Sequence, residues 1–274
     1  MNYDDIINAV RDIVHERTPD TDISDILYQH KCFYLLSKLP TFASSPAFNT
    51  EKTLNRIAIK ERYKTCEPLF ARLDIPYAVI KGAVLSDLIY KDPAIRFSGD
   101  IDLLINRRDA DRVKEILTSF EFVQGRVTGS GIVPFTRKEI LFQTTMSHQT
   151  APYVKQTNNR LCPYINVDIN TDIIWGESNV KTDIDSVLMY TQTVNLLGFD
   201  FRKLTPAMEF ISLCLHHYKD MNSLYLLSSG SLKLGLFCDI YYYLRNVSLS
   251  LEELCELCGT LNVGKYIYAC LYDT

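Results

Sequence analysis

No uninterrupted apolar run in this chain approaches the roughly 20 residues that a membrane-spanning helix needs. The richest apolar segment, around Leu232 to Leu244, is short and is broken by Lys233 and Asp239. The start, Met1-Asn2-Tyr3-Asp4-Asp5, has no basic stretch followed by an apolar one, so no export signal is read there and the cytoplasm is the expected location. Excess positive charge is lacking too: 29 Lys and Arg stand against 33 Asp and Glu, a net charge of -4. A non-specific binder of long DNA or RNA would be basic, so long nucleic acid is not an expected partner, whereas a local basic patch for a nucleotide or short RNA stays open. Internal repeats and low-complexity tracts are absent. With 47% hydrophobic and 23% charged residues, the composition is that of a globular protein and excludes disorder.

A cysteine framework is missing as well. The eight cysteines are scattered at 32, 66, 162, 214, 238, 255, 258 and 270, which without an export signal reads as reduced core thiols. Cys255 and Cys258 form a C-x-x-C, but no second pair or nearby histidine completes the four ligands of a structural zinc. Their segment, Leu249 to Leu261, has helical amphipathic spacing, and the expectation is that Leu251, Leu254, Cys255, Cys258 and Leu261 pack together on one face.

What is present divides the chain in three. Residues 1–75 read as a helical region: Ile6, Ile7, Val10, Ile13 and Val14 keep the helical period, Pro40 to Pro46 is a loop, and a helix over Asn55 to Leu73 ends before Asp74-Ile75-Pro76. Residues 76–178 read as a mixed α/β core. Its expected strands are Tyr77 to Ile80, Ile101 to Ile105, Phe122 to Val127, Glu139 to Thr144 and Tyr164 to Ile174, with helices over Ala83 to Tyr90 and Asp109 to Ser119 and a polar loop over Ser147 to Arg160. Residues 179–274 read as a helical domain, with Thr205-Pro206 and Glu209 marking one helix start and further helices over Ser231 to Arg245, Ser250 to Cys258 and Gly264 to Tyr272. The fold class expected is α+β, a mixed-sheet core with flanking helices.

The functional signal lies in Lys81-Gly82-Ala83-Val84-Leu85, followed by Arg96-Phe97-Ser98-Gly99-Asp100-Ile101-Asp102-Leu103-Leu104-Ile105. Residues two apart on a strand point to the same side, so Asp100 and Asp102 project together while Ile101 and Leu103 enter the core. Two carboxylates held this close raise one another's proton affinity, a conflict that a divalent cation removes. Mg²⁺ suits such a place, taking a few carboxylates together with phosphate oxygens. Gly82, between strand and helix, lets backbone approach a ligand and offers the free N–H groups of a helix start to phosphate. Lys81 and Arg96 add positive charge for a triphosphate. A D-x-D alone often does no more than cap a strand; the order of these pieces, with an apolar strand directly after the acids, is what makes the pattern specific.

These residues resemble the nucleotidyltransferase superfamily of the polymerase-β type. They are most similar to a bacterial group whose pattern runs from a strand ending in Lys-Gly through a helix, a Tyr-x-Asp-Pro turn and an Arg to Asp-x-Asp-Leu-Leu. The counterparts here are Ile80-Lys81-Gly82-Ala83, Tyr90-Lys91-Asp92-Pro93, Arg96 and Gly99-Asp100-Ile101-Asp102-Leu103-Leu104. Antibiotic nucleotidyltransferases and antitoxin-type nucleotidyltransferases have a similar arrangement. The similarity is strongest over residues 77–120 and extends more weakly through Asp168 to His216-His217 and Asp239-Ile240.

The resemblance implies transfer of a nucleoside monophosphate from an NTP, with ATP expected, to a hydroxyl-bearing acceptor, with Mg²⁺ or Mn²⁺ held by Asp100, Asp102 and a third carboxylate. It also implies nucleotide contacts from Lys81, Gly82, Arg96, Ser98 and Gly99. Asp168 is the best match for the third acid, on the polar face of Tyr164 to Asp172, with Asp172 as the fallback. Two departures stand out: Asn170 occupies a position that is His in the family segment, with no Trp directly after it, and Ala83 replaces the serine that many superfamily members place after the glycine. The alternative is a non-catalytic or antitoxin-like member acting through a protein partner. Of the remaining candidates, adjacent His216 and His217 point in different directions on their helix and are expected not to share a metal. Tyr241-Tyr242-Tyr243 is expected to be helix packing, and Arg107-Arg108 is either a solvated turn or a guide for an anionic substrate.

Overall fold

Alternation of apolar and polar residues sets the sheet. In a computed structural model that describes residues 3–175, 180–223 and 233–274, β1 (Tyr77–Ile80), β2 (Asp100–Ile105) and β6 (Tyr164–Asn170) form its middle. Around them lie β3 (Val123–Thr128), β4 (Gly131–Pro134), β5 (Tyr153–Gln156), β7 (Thr191–Leu196) and β8 (Phe199–Leu204), in the order β4-β3-β5-β6-β2-β1-β8-β7. The sheet is mixed: β2 runs parallel to β6 and β1 parallel to β8, while the other neighbours are antiparallel. An α+β fold with a mixed sheet and flanking helices is therefore what the chain adopts.

The two faces of the sheet belong to two hydrophobic cores. On one face Val79, Ile101, Leu103, Ile105, Ile165, Val167 and Ile169 pack against the long helix α5 (Pro46–Arg72) and α7 (Ala110–Ser119), through Ile59, Tyr63, Leu69, Val113 and Ile116. On the other face Ala78, Ile80, Leu104 and Leu204 meet the larger core. That core gathers α1 (Tyr3–Val14), α2 (Ser24–Gln29), α3 (Phe33–Lys38), α6 (Gly82–Tyr90), α10 (Pro206–Met221), α11 (Gly235–Asn246), α12 (Leu251–Thr260) and α13 (Gly264–Asp273). Because side chains alternate along a strand, residues 100, 102, 166, 168 and 170 all point toward this second side.

Several expectations are corrected. Glu139 to Thr144 is not a strand: α8 (Arg137–Met146) starts there on a capping box, in which Thr136 Oγ1 accepts from Glu139 N and the Glu139 carboxylate accepts from Thr136 N. The Ser147 to Arg160 loop contains β5, and Pro40 to Pro46 contains the short helix α4 (Pro40–Ala43). α5 begins at Pro46, with Ser45 as its cap, rather than at Asn55. The region after Asp183 is not purely helical. After the short helix α9 (Ile184–Met189), β7 and β8 form a hairpin whose two loop residues, Leu197 and Gly198, both take positive φ, as a two-residue hairpin loop matching the strand twist requires. On α12 the buried face is Leu254, Leu257 and Leu261, with Cys258 beside it; Leu251 and Cys255 are exposed, because they lie about a third of a turn away from that stripe. The expected helix start at Ser231 and the 178/179 boundary lie outside the described residues.

Among the described residues no helix is long and apolar enough to cross a membrane.

Candidate active site

β1 ends at Ile80, and the chain then makes a turn that few residues tolerate. Lys81 has φ 58° and ψ -151°, and Gly82 has φ 53°. Two successive positive φ values place a non-glycine residue in a sparsely populated region, a kind of strain that clusters at ligand-binding turns. A Cβ on Gly82 would stand 3.4 Å from Ser98 Oγ, an ordinary contact, so it is the positive φ rather than lack of room that calls for glycine here.

That segment is fastened from several sides. Arg96 N donates to Ser86 Oγ at 3.2 Å, Ser86 Oγ donates to Asp92 O, and Asn55 Nδ2 donates to Ala94 O. Asp92 is in turn gripped by Arg56 at 2.7 Å and Lys52 at 3.0 Å.

β2 then delivers Asp100 and Asp102, and its parallel neighbour β6 delivers Asp168. The register pairs Asp102 with Asp168 and Asp100 with Asn166, so the three acids share one face of two adjacent strands. Desolvation, then the charge of Asp102, raises the Asp100 carboxyl above its ordinary range. Desolvation, followed by the charges of Asp100 and Asp102, pushes Asp168 up to about 7. Lys81 Nζ, 3.6 Å from Asp102 Oδ1, offsets part of this charge. Asn170 Nδ2 donates to the same oxygen at 3.0 Å.

The acids form the floor of a cleft of about 420 Å³. Lys81, Gly82, Arg96, Phe97, Ser98 and Gly99 line one side; His216 and Asp220 of α10 and Gly235, Leu236 and Asp239 of α11 line the other, with Lys31, Phe33, Gln149 and Lys233 at its margins. All eight residues singled out in the sequence for catalysis or nucleotide contact thus border one space. Asp172 does not. Its Oδ1 accepts from Ile174 N at 2.9 Å, and it lies with His148 and Trp175 in a separate small hollow.

The two histidines part company: His216 faces the cleft, with its Nε2 3.6 Å from Asp220 Oδ2, whereas His217 is buried edge-on against Phe237. Desolvation, and after it the nearby Lys81, holds the His216 imidazole well below its ordinary range, so it is neutral at pH 7. Tyr242 and Tyr243 are core residues, the latter donating to Pro206 O. Arg108 forms a two-pronged contact with Asp185 and Arg107 reaches Ser147 O and Thr171 Oγ1, so neither borders the cleft.

Arg96 is held more firmly than its sequence position suggests. Its Nε donates to Asp239 Oδ2 at 2.9 Å, and Tyr90 OH donates to Asp239 Oδ1 at 2.7 Å, which ties the core to α11 through a buried carboxylate. Lys31, Phe33, Gln149, Asp220 and Lys233 were not picked out from the sequence. Only Asp220 left a trace there, standing four residues after His216 on one helix face.

As donors for a cation, the three acids offer hard oxygen ligands only, the set that Mg²⁺ and Mn²⁺ accept. Their raised proton affinity is the repulsion a divalent charge would relieve. Ser98 Oγ, buried beside them, finds no hydrogen-bond partner among the described residues. In chemistry the donors fit; among the described residues, though, no group of three or more His, Cys, Asp or Glu is already drawn together around a metal position.

No curated protein matches the chain. A solved structure of an antigenic nucleotidyltransferase-like protein from Paracoccidioides brasiliensis aligns at 16% identity over 75% of this chain and 94% of that one, with a TM-score of 0.37. The sequence pattern described as an uncharacterised nucleotidyltransferase matches residues 48–272, from α5 through α13, and the chain belongs to that family.

Proposed function

We propose that the chain transfers a nucleoside monophosphate from an NTP, with ATP favoured, to a hydroxyl group on a small molecule or a protein side chain, releasing pyrophosphate. The observation that carries this reading is the set Asp100, Asp102 and Asp168, side by side on β2 and β6 at the floor of a cleft whose wall is the Lys81-Gly82 turn. The Lys-Gly turn, Arg96 and the Asp-x-Asp-Leu-Leu strand resemble the pattern of the bacterial group named above, which supports this reading.

When bound, Mg²⁺ or Mn²⁺ would neutralise the triphosphate and lower the proton affinity of the acceptor hydroxyl. Asp100 and Asp102 would hold the cation together with the phosphates, and Asp168 would complete the set on the acceptor side. Lys81, the start of α6 at Gly82, Ser98 and the free edge of the Arg96 guanidinium would orient the phosphate oxygens. Positioning and charge neutralisation account for most of the barrier lowering in phosphoryl-type transfer, and the cleft supplies both. The acceptor would enter between the sheet and α10–α11, past neutral His216.

The test is nucleotide-dependent Mg²⁺ binding, together with mass spectrometry for a nucleotide adduct on added acceptors and proteins. The Asp100→Asn, Asp102→Asn double variant should lose both. Equal Mg²⁺ binding by the wild type and the double variant would sink the reading.

A further inference from the structure

The acid-bearing face of the sheet also carries Asn170, at the end of β6. It is 1% exposed. On β2 its backbone partner is Leu104, so Asp102 is its diagonal neighbour, within reach of a side-chain amide. Asn170 Nδ2 donates to Asp102 Oδ1 at 3.0 Å, and Asn170 Oδ1 accepts from Gln149 Nε2 at 2.9 Å. In this relay Asn170 turns its NH₂ to Asp102 and its carbonyl oxygen outward, where Gln149 meets it with its own NH₂.

The outer end of the relay is anchored as well. Thr150 N donates to Ile169 O and Thr171 N to His148 O, which fixes the 148–150 segment against the end of β6 on both sides of Gln149. Gln149 itself borders the cleft.

Asn170 and Lys81 both address Asp102 Oδ1, at 3.0 and 3.6 Å; Oδ2 takes part in neither contact. A carboxylate held by one oxygen keeps the other in a set direction. We infer that Asn170 and Gln149 are positioning residues for Asp102, holding Oδ1 so that Oδ2 is presented to the divalent cation shared with Asp100 and Asp168. This rests on the nucleotidyl-transfer reading above. Asn170 acts only through Asp102, and what it supplies is a buried N–H aimed at one carboxylate oxygen.

Two measurements on the full chain test this. The first is free of metal: the side-chain NH₂ resonances of Asn170, identified by their loss in Asn170→Leu, should move when Asp102 is replaced by Asn. The second is Mn²⁺ affinity from the free-ion resonance in electron paramagnetic titrations, with urea unfolding as the check on the fold. Asn170→Leu and Gln149→Leu should weaken Mn²⁺ binding by about tenfold or more, the usual range for removing a partner of a metal ligand. Asn170→His, which retains an N–H donor, should restore most of that affinity. Mn²⁺ binding by Asn170→Leu equal to that of the wild type overturns the inference alone, as does an Asn170 resonance indifferent to Asp102→Asn. A wild-type chain that takes up no Mn²⁺, with or without ATP, fails the transferase reading and this inference with it.

Discussion

Replacing Asp168 with Asn should make the cation-free protein more stable at about pH 8, although it removes a candidate ligand. Burial and the charges of Asp100 and Asp102 displace the Asp168 carboxyl from an ordinary 3.8 to about 7 in the fold. Between those two values the folded chain retains a proton that the unfolded chain has released. Stability is therefore full below about pH 4, declines as pH rises toward 7, and stays low above it. At about 1.4 kcal/mol per pH unit the full displacement is worth roughly 4 kcal/mol. Asp168 is half-buried and shares its repulsion with Asp100, so roughly 2–4 kcal/mol is the expected gain on neutralising it. For a chain of this size that is a rise in Tm of roughly 5 °C or more. The assay is thermal unfolding in EDTA at about pH 8 and about pH 4.5, wild type beside Asp168→Asn. Mg²⁺ with NTP should raise the wild-type Tm in proportion to its occupancy and move the variant much less. A variant no more stable than wild type at about pH 8, or a gap that fails to shrink at about pH 4.5, would refute the argument that the acids repel one another across β2 and β6.

Two further outcomes follow from other buried charges. Asp239→Ala should cost about 3 kcal/mol or more in urea unfolding, since it strands the Arg96 guanidinium and the Tyr90 hydroxyl, whereas Asp239→Asn should cost less because an amide oxygen still accepts from one of them. Lys203 Nζ and Glu209 Oε2 meet at 2.6 Å with both side chains buried; Lys203→Met alone should cost about 3–5 kcal/mol, and adding Glu209→Leu should recover most of it, a cycle that fails if the two losses simply add.

The parts of this fold that could be read from the sequence are those where local pattern and tertiary role agree. β1, β2 and β6 combine short apolar runs or clean alternation with flanking turns; β1 and β2 lie where expected, while β6 starts at Tyr164 as expected but ends at Asn170 rather than Ile174, leaving Asp172 beyond the strand. In α8 the run Ile140-Leu141-Phe142 has the look of a strand core, yet Leu141 and Phe142 are 66% and 64% exposed, and the Thr136-x-x-Glu139 cap is the signal that sets the helix. β7 and β8 were hidden by the expectation of continuous helix, although Thr191, Thr193 and Val194, with Gly198 at the turn, carry β-type residues and a hairpin signal. β5 gives only Tyr153 and Val154 between polar neighbours, too little to announce a strand. For the site, the shared face of Asp100 and Asp102 follows from their spacing alone. Gln149, Lys31, Phe33 and Lys233 reach the cleft only because distant segments fold together, and no local pattern marks them.

The same logic explains why the acids stand out energetically. Along β2 and β6 the residues facing α5 and α7 are uniformly apolar, and that side of the sheet obeys every packing rule. On the opposite face, within the same strands, three carboxylates and two amides occupy positions where aliphatic side chains would bury at a gain of about 1.5–3 kcal/mol each. The fold could have continued Leu104 and Ile80 toward the acid end; instead it leaves an acid-lined cleft there and sets a non-glycine residue, Lys81, in left-handed backbone at its rim. Local rules broken together, at one place, on a scaffold that otherwise keeps them, are what the proposed site would show if it serves binding rather than stability. Neutralising that site should therefore stabilise the cation-free chain and disable it at once, which a purely structural role for the acids does not predict.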